Sequence, residues 1–318
     1  MLTAILFVAV CCVAFTNGAN ANFKGVASLY GSGTTSLRTA LYWGTGTTFV
    51  GSVAAYFLAQ GLLKAFSGRG IVPDILVQSP AFLTAVAIGA AATSFLATRF
   101  GFPVSTTHAL VGSLLGAGLA GNGGAVHFSA LGKNFVYPLL VSPAIAVVLG
   151  TVVYLLLKTL RLAPDHRTRT LDILHFLSTG AASFARGLND TPKMAALLLV
   201  APGLDIRWGF AAIAVMIAAG GLLDADRVAE TLGRKVTSMN PGQGFAASLV
   251  TAILVATASF HSVPVSTTHV SVGSLLGMGA TTHQVKWRKA GEILLAWIST
   301  VPCGAILGAI AYAIVSQL

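Results

Sequence analysis

Charge is what this sequence has least of. Asp, Glu, Lys and Arg together make up 9% of its 318 residues, against about 25% in soluble domains. A chain so poor in ionic side chains cannot clothe a water-facing surface. Cysteine is also scarce. Cys11, Cys12 and Cys303 sit in apolar stretches without metal-ligand spacing, which excludes a thiolate metal site and points to packing positions. Phosphate-cradling Walker loops, HExxH helices and a GxSxG elbow in context are absent, and with them the common hydrolase and nucleotide-binding classes. Acidic residues number nine against 19 Lys and Arg. The resulting excess of positive charge is scattered through short loops, so no continuous basic patch exists for nucleic acid.

What fills the sequence instead is apolar. Hydrophobic residues make up 55% of the chain, in stretches near 2–17, 39–63, 81–99, 104–121, 135–157, 171–186, 194–222, 244–260, 264–280 and 291–316. These lengths suit helices crossing a bilayer, which need roughly 20 residues. The strict alternation of membrane β-strands is missing. The fold class is therefore an all-α integral membrane protein with about 10–12 transmembrane or re-entrant helices. Residues Met1 to Ala21 have the look of a secretory signal but lack a leading basic residue and carry a motif that recurs later, so they read as a retained first helix.

The chain repeats itself. Phe102–Gly116, FPVSTTHALVGSLLG, and Val263–Gly277, VPVSTTHVSVGSLLG, agree at 12 of 15 positions with an offset of 161. A weaker pair, Gly18–Gly25 (GANANFKG) and Gly187–Met194 (GLNDTPKM), shares Gly, Asn and Lys at an offset of 169. The division expected is a first transmembrane repeat over 1–157, a basic cytoplasmic linker over 158–170 and a second repeat over 171–318. If all five apolar stretches of each half cross, the odd number forces opposite orientations, the inverted topology of secondary transporters, whose sites lie between the repeats. With the linker in the cytoplasm, 13 of the 19 basic residues fall inside. The positive-inside rule then places both termini outside.

Pro103-Val104-Ser105-Thr106-Thr107-His108 and Pro264-Val265-Ser266-Thr267-Thr268-His269 read as helix starts inside the membrane. Proline suits a first helical turn, and Ser and Thr hydroxyls cap free N–H groups. Two such N-termini, with their hydroxyls, could hold a tetrahedral oxyanion from both sides. The alternative is that the hydroxyls only allow close helix packing. His108 and His269 either touch the ion or hold a neighbouring carbonyl. Asp190 is the outstanding intramembrane carboxylate. Gly187, Leu188 and Pro192 around it suggest a break in the helix, where unwound backbone would suit a Na⁺ or a proton relay. Pairing with Arg186 or Lys193 is the other reading. Lys24 and Lys193 either attract the anion or snorkel. Asp224 to Lys235 reads as a solvated loop.

These residues resemble the inorganic phosphate transporter (PiT) family. The paired PVSTTH segments look like its signature, and GLNDTPKM resembles the GxND element of its second repeat. The resemblance implies secondary transport of inorganic phosphate across the plasma (inner) membrane, coupled to Na⁺ or H⁺ and without other cofactors. Carried over by position, Asn20, Ser105, Thr106, Thr107, Asn189, Ser266, Thr267 and Thr268 would meet the anion. Asn20, Asn22, Asn189 and Asp190 would meet the cation, with Asp190 and Asn20 its Na⁺ ligands. The partners implied are phosphate and the lipid bilayer, with a homodimer left open. One departure stands out. The family has Asp where this chain has Ala21, and the internal repeat aligns Ala21 with Asp190. That loss keeps open a sulfate permease of the same fold, or a transport-deficient relative acting as a sensor or binding partner. An intramembrane enzyme would need a paired acid–base constellation, which a single placed carboxylate does not supply.

Overall fold

Backbone N–H and C=O groups find no water in hydrocarbon, so each apolar stretch must close its own helical hydrogen bonds. In the computed structural model, which describes residues 1–121, 126–161 and 167–317, they do so in ten long helices. The first half holds α1 (Leu2–Ala21), α2 (Leu37–Leu58), α3 (Pro80–Arg99), α4 (Thr106–Gly121) and α5 (Tyr137–Thr159). The second holds α6 (Arg169–Ala195), α7 (Ile206–Leu223), α8 (Pro241–Phe260), α9 (Thr267–Thr281) and α10 (Trp287–Val315). Among the described residues, β-pairing is limited to two isolated bridges. The middle of the linker, including Asp165, lies outside the described residues.

The packing has the symmetry of the repeat. Helix α1 packs on α3 and α7, and α6 packs on α8 and α2; α4 packs on α10, and α9 on α5. Exchanging the halves turns each of these contacts into another. Each half contributes five long helices to this exchange. Glycines set the closest crossings. A Cβ on Gly18 would stand 2.1 Å from Ile217 O, and one on Gly220 1.9 Å from Phe15 O, between α1 and α7. Between α2 and α6 the same holds for Gly51 (2.1 Å from Phe184 O) and Gly187 (2.2 Å from Thr48 O). Both glycine pairs are related by the offset of 169. The drop from 169 to 161 is located too. Half of it is the length of α2, 22 residues against 18 in α7, and half the connection that follows.

Among the described residues, six elements are long and apolar enough to span a membrane: Leu2–Gly25, Pro80–Arg99, Phe128–Thr159, Ile206–Leu223, Pro241–Phe260 and Trp287–Val315. Their outer faces carry exposed aliphatics such as Val148, Val152, Ile298, Ile306 and Ile310. Such continuous apolar exposure belongs against lipid. Helices α4 and α9 are different. With 16 and 15 residues they reach about 24 and 22 Å at 1.5 Å per residue, short of the roughly 30 Å hydrocarbon core. Their first turns are buried.

Two sequence readings are corrected. Helix α6 runs unbroken through Gly187 and Pro192 to Ala195. Gly187 is there for the crossing with α2, and the helical break comes later, at a 3₁₀ turn over Ala196–Leu198. The cysteines do not pack a core: Cys12 is exposed, and Cys11 and Cys303 are half-buried. In a membrane the exterior is as apolar as the interior, so an apolar context does not distinguish them.

Candidate functional site

The site is assembled where α1 and α6 meet the first turns of α4 and α9. Prolines 103 and 264 precede extended segments, and the following serines start the helices. Ser105 Oγ accepts the N–H of His108, and Ser266 Oγ accepts that of His269, each at 3.2 Å. Each serine is an N-cap, with its own hydroxyl hydrogen still free to be donated.

Two lysines cross-link these helix starts. Lys24 Nζ donates to Val104 O (2.7 Å), Thr268 Oγ1 (2.6 Å) and Asn20 Oδ1 (3.2 Å). Lys193 Nζ donates to the equivalents, Val265 O (2.9 Å), Thr107 Oγ1 (2.9 Å) and Asn189 Oδ1. Each lysine thus bonds a carbonyl of its own half and a threonine of the other. The asparagines are held alike. Asn20 Nδ2 donates to Thr98 Oγ1 (3.0 Å), and Asn189 Nδ2 to Ser259 Oγ (2.9 Å), positions again 161 apart. Thr268 donates onward to Val104 O at 2.8 Å, and Thr107 to Val265 O at 3.5 Å.

Asp190 has no counterpart. Its Oδ1 lies 3.1 Å from Lys193 Nζ, and its Oδ2 3.7 Å from Arg186 Nε. Asn17 Nδ2 (3.2 Å) and Thr267 Oγ1 (3.5 Å) also reach Oδ2. Of the two readings of Asp190, the structure shows the pairing, with Arg186 and Lys193 together. Arg186 is bound in turn by Asn17 Oδ1 (2.6 Å) and Asn22 Oδ1 (2.8 Å). Asn22 sits against this guanidinium, with Nδ2 on Thr45 Oγ1. Thr106 accepts from Asn17 Nδ2 at 2.8 Å.

The structure thus gathers Asn20, Asn189, Asp190, Ser105 to Thr107 and Ser266 to Thr268 around the junction, all buried. Asn22 lies to one side, on Arg186. Sequence reading missed Asn17 as a member and treated Arg186 only as a pairing partner. Extending the 169 offset by one residue would have found them, because it aligns Asn17 with Arg186. His108 and His269 face each other at 4.6 Å, and His269 stacks on Trp297 at 4.0 Å. His269 Nδ1 lies 3.2 Å from Leu139 O and holds that carbonyl. Trp297 Nε1 donates to Pro103 O at 3.0 Å, bracing the extended segment before α4.

Chemically, the junction offers helix N-termini, hydroxyl hydrogens and buried cationic groups to an anion, and one carboxylate to a cation. The Phosphate transporter family matches residues 17–308. The chain is 32% identical to a probable low-affinity inorganic phosphate transporter of Rhizobium meliloti, over 94% of this chain and 92% of that protein. It is 29% identical to one of Bacillus subtilis over 100% and 99%. A solved structure described as the sodium-dependent phosphate transporter superposes with a TM-score of 0.86 at 22% identity, covering 100% of this chain and 99% of that one, and it shares the fold. These relatives are transporters, not enzymes. With its repeat, its paired helix starts and a family match over most of its length, this multi-pass membrane protein belongs to the phosphate transporter family.

Proposed function

We propose that this chain is a secondary transporter that carries inorganic phosphate across the plasma membrane, coupled to Na⁺ or H⁺. The anion binds between residues 1–157 and 171–318, at the hydroxyls of Ser105, Thr106, Thr107, Ser266, Thr267 and Thr268 with Asn20 and Asn189. The cation binds at Asp190. One observation carries the reading above the rest: two half-helix N-termini are tied across the halves by Lys24 to Thr268 and Lys193 to Thr107. Such reciprocal ties suit a site that either half exposes in turn. The linker over 158–170 lies in the cytoplasm in this reading, and both termini lie outside.

Uptake of labelled phosphate into proteoliposomes, with and without an inward Na⁺ gradient, tests it. Accumulation that stops when Ser105→Ala and Thr267→Ala are combined is expected. Proteoliposomes that take up no phosphate under either a Na⁺ or a proton gradient would refute it. Sulfate uptake in its place would favour the permease reading, for which the missing carboxylate at Ala21 speaks: sulfate has no proton to offer such a group.

A further inference from the structure

Trp297, buried on α10, touches both helix starts at once. Its Nε1 donates to Pro103 O at 3.0 Å, in the extended segment before α4. Its ring stacks on His269, in the first turn of α9, with centroids 4.0 Å apart and planes at 29°. His269 is itself fixed from α5, where its Nδ1 lies 3.2 Å from Leu139 O. That carbonyl is free because Pro143, four residues on, has no N–H to close the helical bond. A carbonyl can only accept, so Nδ1 carries the hydrogen. One line of contacts thus runs from the start of α4 through α10 and the start of α9 to α5.

The repeat does not build this line twice. Cβ atoms on Gly150 and Gly308 would each stand 2.5 Å from a serine carbonyl, Ser274 O and Ser113 O respectively. Those serines are related by the offset of 161, so the two glycines are equivalent, at 308 − 150 = 158. That offset puts Leu139 at the place of Trp297. Leucine has no hydrogen to give to Pro264 O, the counterpart of Pro103 O, and Pro264 is only half-buried where Pro103 is buried. The helix prolines are also out of step by one residue, at 302 − 143 = 159. Pro302 therefore frees Ile298 O, on a residue whose side chain faces outward, and not the carbonyl of Trp297. Among the described residues the Nδ1 of His108, the counterpart of His269, has no partner.

We propose that Trp297 is the positioning residue of the junction: it holds the segment before α4 and the first turn of α9 at a fixed separation, and so sets the gap an anion must fill. This rests on the reading that the anion lies between the two helix starts. Trp297 acts through Pro103 and His269 and does not itself meet the anion. Lys24 and Lys193 also tie the halves, but through flexible stems, whereas the indole is a rigid plate. Helix starts held in advance spare the anion the cost of ordering them, and that saving is read as affinity.

Equilibrium binding of labelled phosphate and of labelled sulfate to the full chain in nanodiscs, with thermal unfolding of the same samples, tests the assignment. Trp297→Phe keeps a ring over His269 and removes the N–H. Its Kd for phosphate should rise about fivefold. In proteoliposomes the loss should fall on KM and leave Vmax within about twofold. Trp43→Phe is the control. Trp43 also donates to a carbonyl of another helix, Phe176 O at 2.9 Å, but there it joins α2 to α6 instead of the two helix starts. That variant should lower the melting temperature and leave Kd unchanged. Pro143→Ala separates positioning from structure by sign. It returns a competing N–H to Leu139 O and gives α5 a better helix former. The melting temperature should therefore hold or rise while Kd increases about threefold. Full affinity in Trp297→Phe or in Pro143→Ala would overturn the proposal and leave the phosphate reading standing. A chain that binds sulfate and not phosphate, with the same losses in both variants, would remove phosphate as the substrate and leave Trp297 in its role. Binding of neither anion would overturn both.

Discussion

The two lysine clusters occupy equivalent places in the repeat and do different things. Around Lys193 the helix α6 continues intact, a carboxylate and a guanidinium stand within the two preceding turns, and aromatic rings close the cavity. Around Lys24 the helix α1 has already ended, a 3₁₀ turn runs over Asn22–Gly25, and Ser28, Ser248, Thr251 and Ser271 stand among small apolar residues. The hydrogen bonds from each lysine to helix start, threonine and asparagine are nevertheless the same. The scaffold is symmetric and the charge is not. A duplicated fold can thus keep one geometry in both halves while charging them differently, because the lysine hydrogen bonds that tie the helix starts do not depend on the carboxylate.

The sharpest way to break this comparison is Asp190→Asn. It leaves Arg186 and Lys193 buried without their counter-charge, which should cost about 3–5 kcal/mol of stability and abolish cation dependence. Thermal unfolding and gradient-driven uptake read the two effects. Normal cation-driven uptake in that variant would remove Asp190 from the mechanism.

Lys24→Met makes the converse case. It deletes a charge with no ion-pair partner among the described residues, so stability should fall by less than in Asp190→Asn. A loss of stability as large as that of Asp190→Asn would mean that a counter-charge for Lys24 exists within the fold.

The glycine crossings test the symmetry itself. Gly18→Ala and Gly187→Ala should each destabilise by about 1–3 kcal/mol, and by similar amounts, since each Cβ meets a carbonyl oxygen of the helix it crosses. Unequal melting shifts would show that the halves differ in packing as well as in charge. The smallest effects are expected at the caps: Ser105→Ala and Ser266→Ala should each cost about 1 kcal/mol. Both should also weaken phosphate binding, and unchanged affinity in both would dismiss the hydroxyl clamp.

Much of this was legible in the residues. Length and hydropathy alone placed the ten long helices within a few positions at most ends, because a helix in lipid must satisfy its own backbone wherever the apolar stretch runs. The duplicated PVSTTH segments pointed to the two helix starts and their hydroxyls. Asn17 was legible only through the repeat offset, since by itself an asparagine near the end of an apolar helix looks the same whether it meets lipid headgroups or a guanidinium. The expected break at Gly187 misread a packing glycine as a hinge. Glycine serves both roles, and which one applies depends on the helix across from it, here α2 at Thr48 and Gly51.

By itself, then, the sequence determined the all-α membrane class, the two related halves, the helix starts and the missing carboxylate at position 21, because each follows from local composition or from one half set against the other. Only the tertiary structure decided that Lys24 and Lys193 turn inward to bind the opposite half's threonines. It alone decided that Arg186 is locked by Asn17 and Asn22. The reason is physical: a long basic side chain near the end of an apolar stretch can reach outward to water or inward to a buried acceptor, and that choice depends on carbonyls and hydroxyls more than 70 residues away, brought near only when the halves pack.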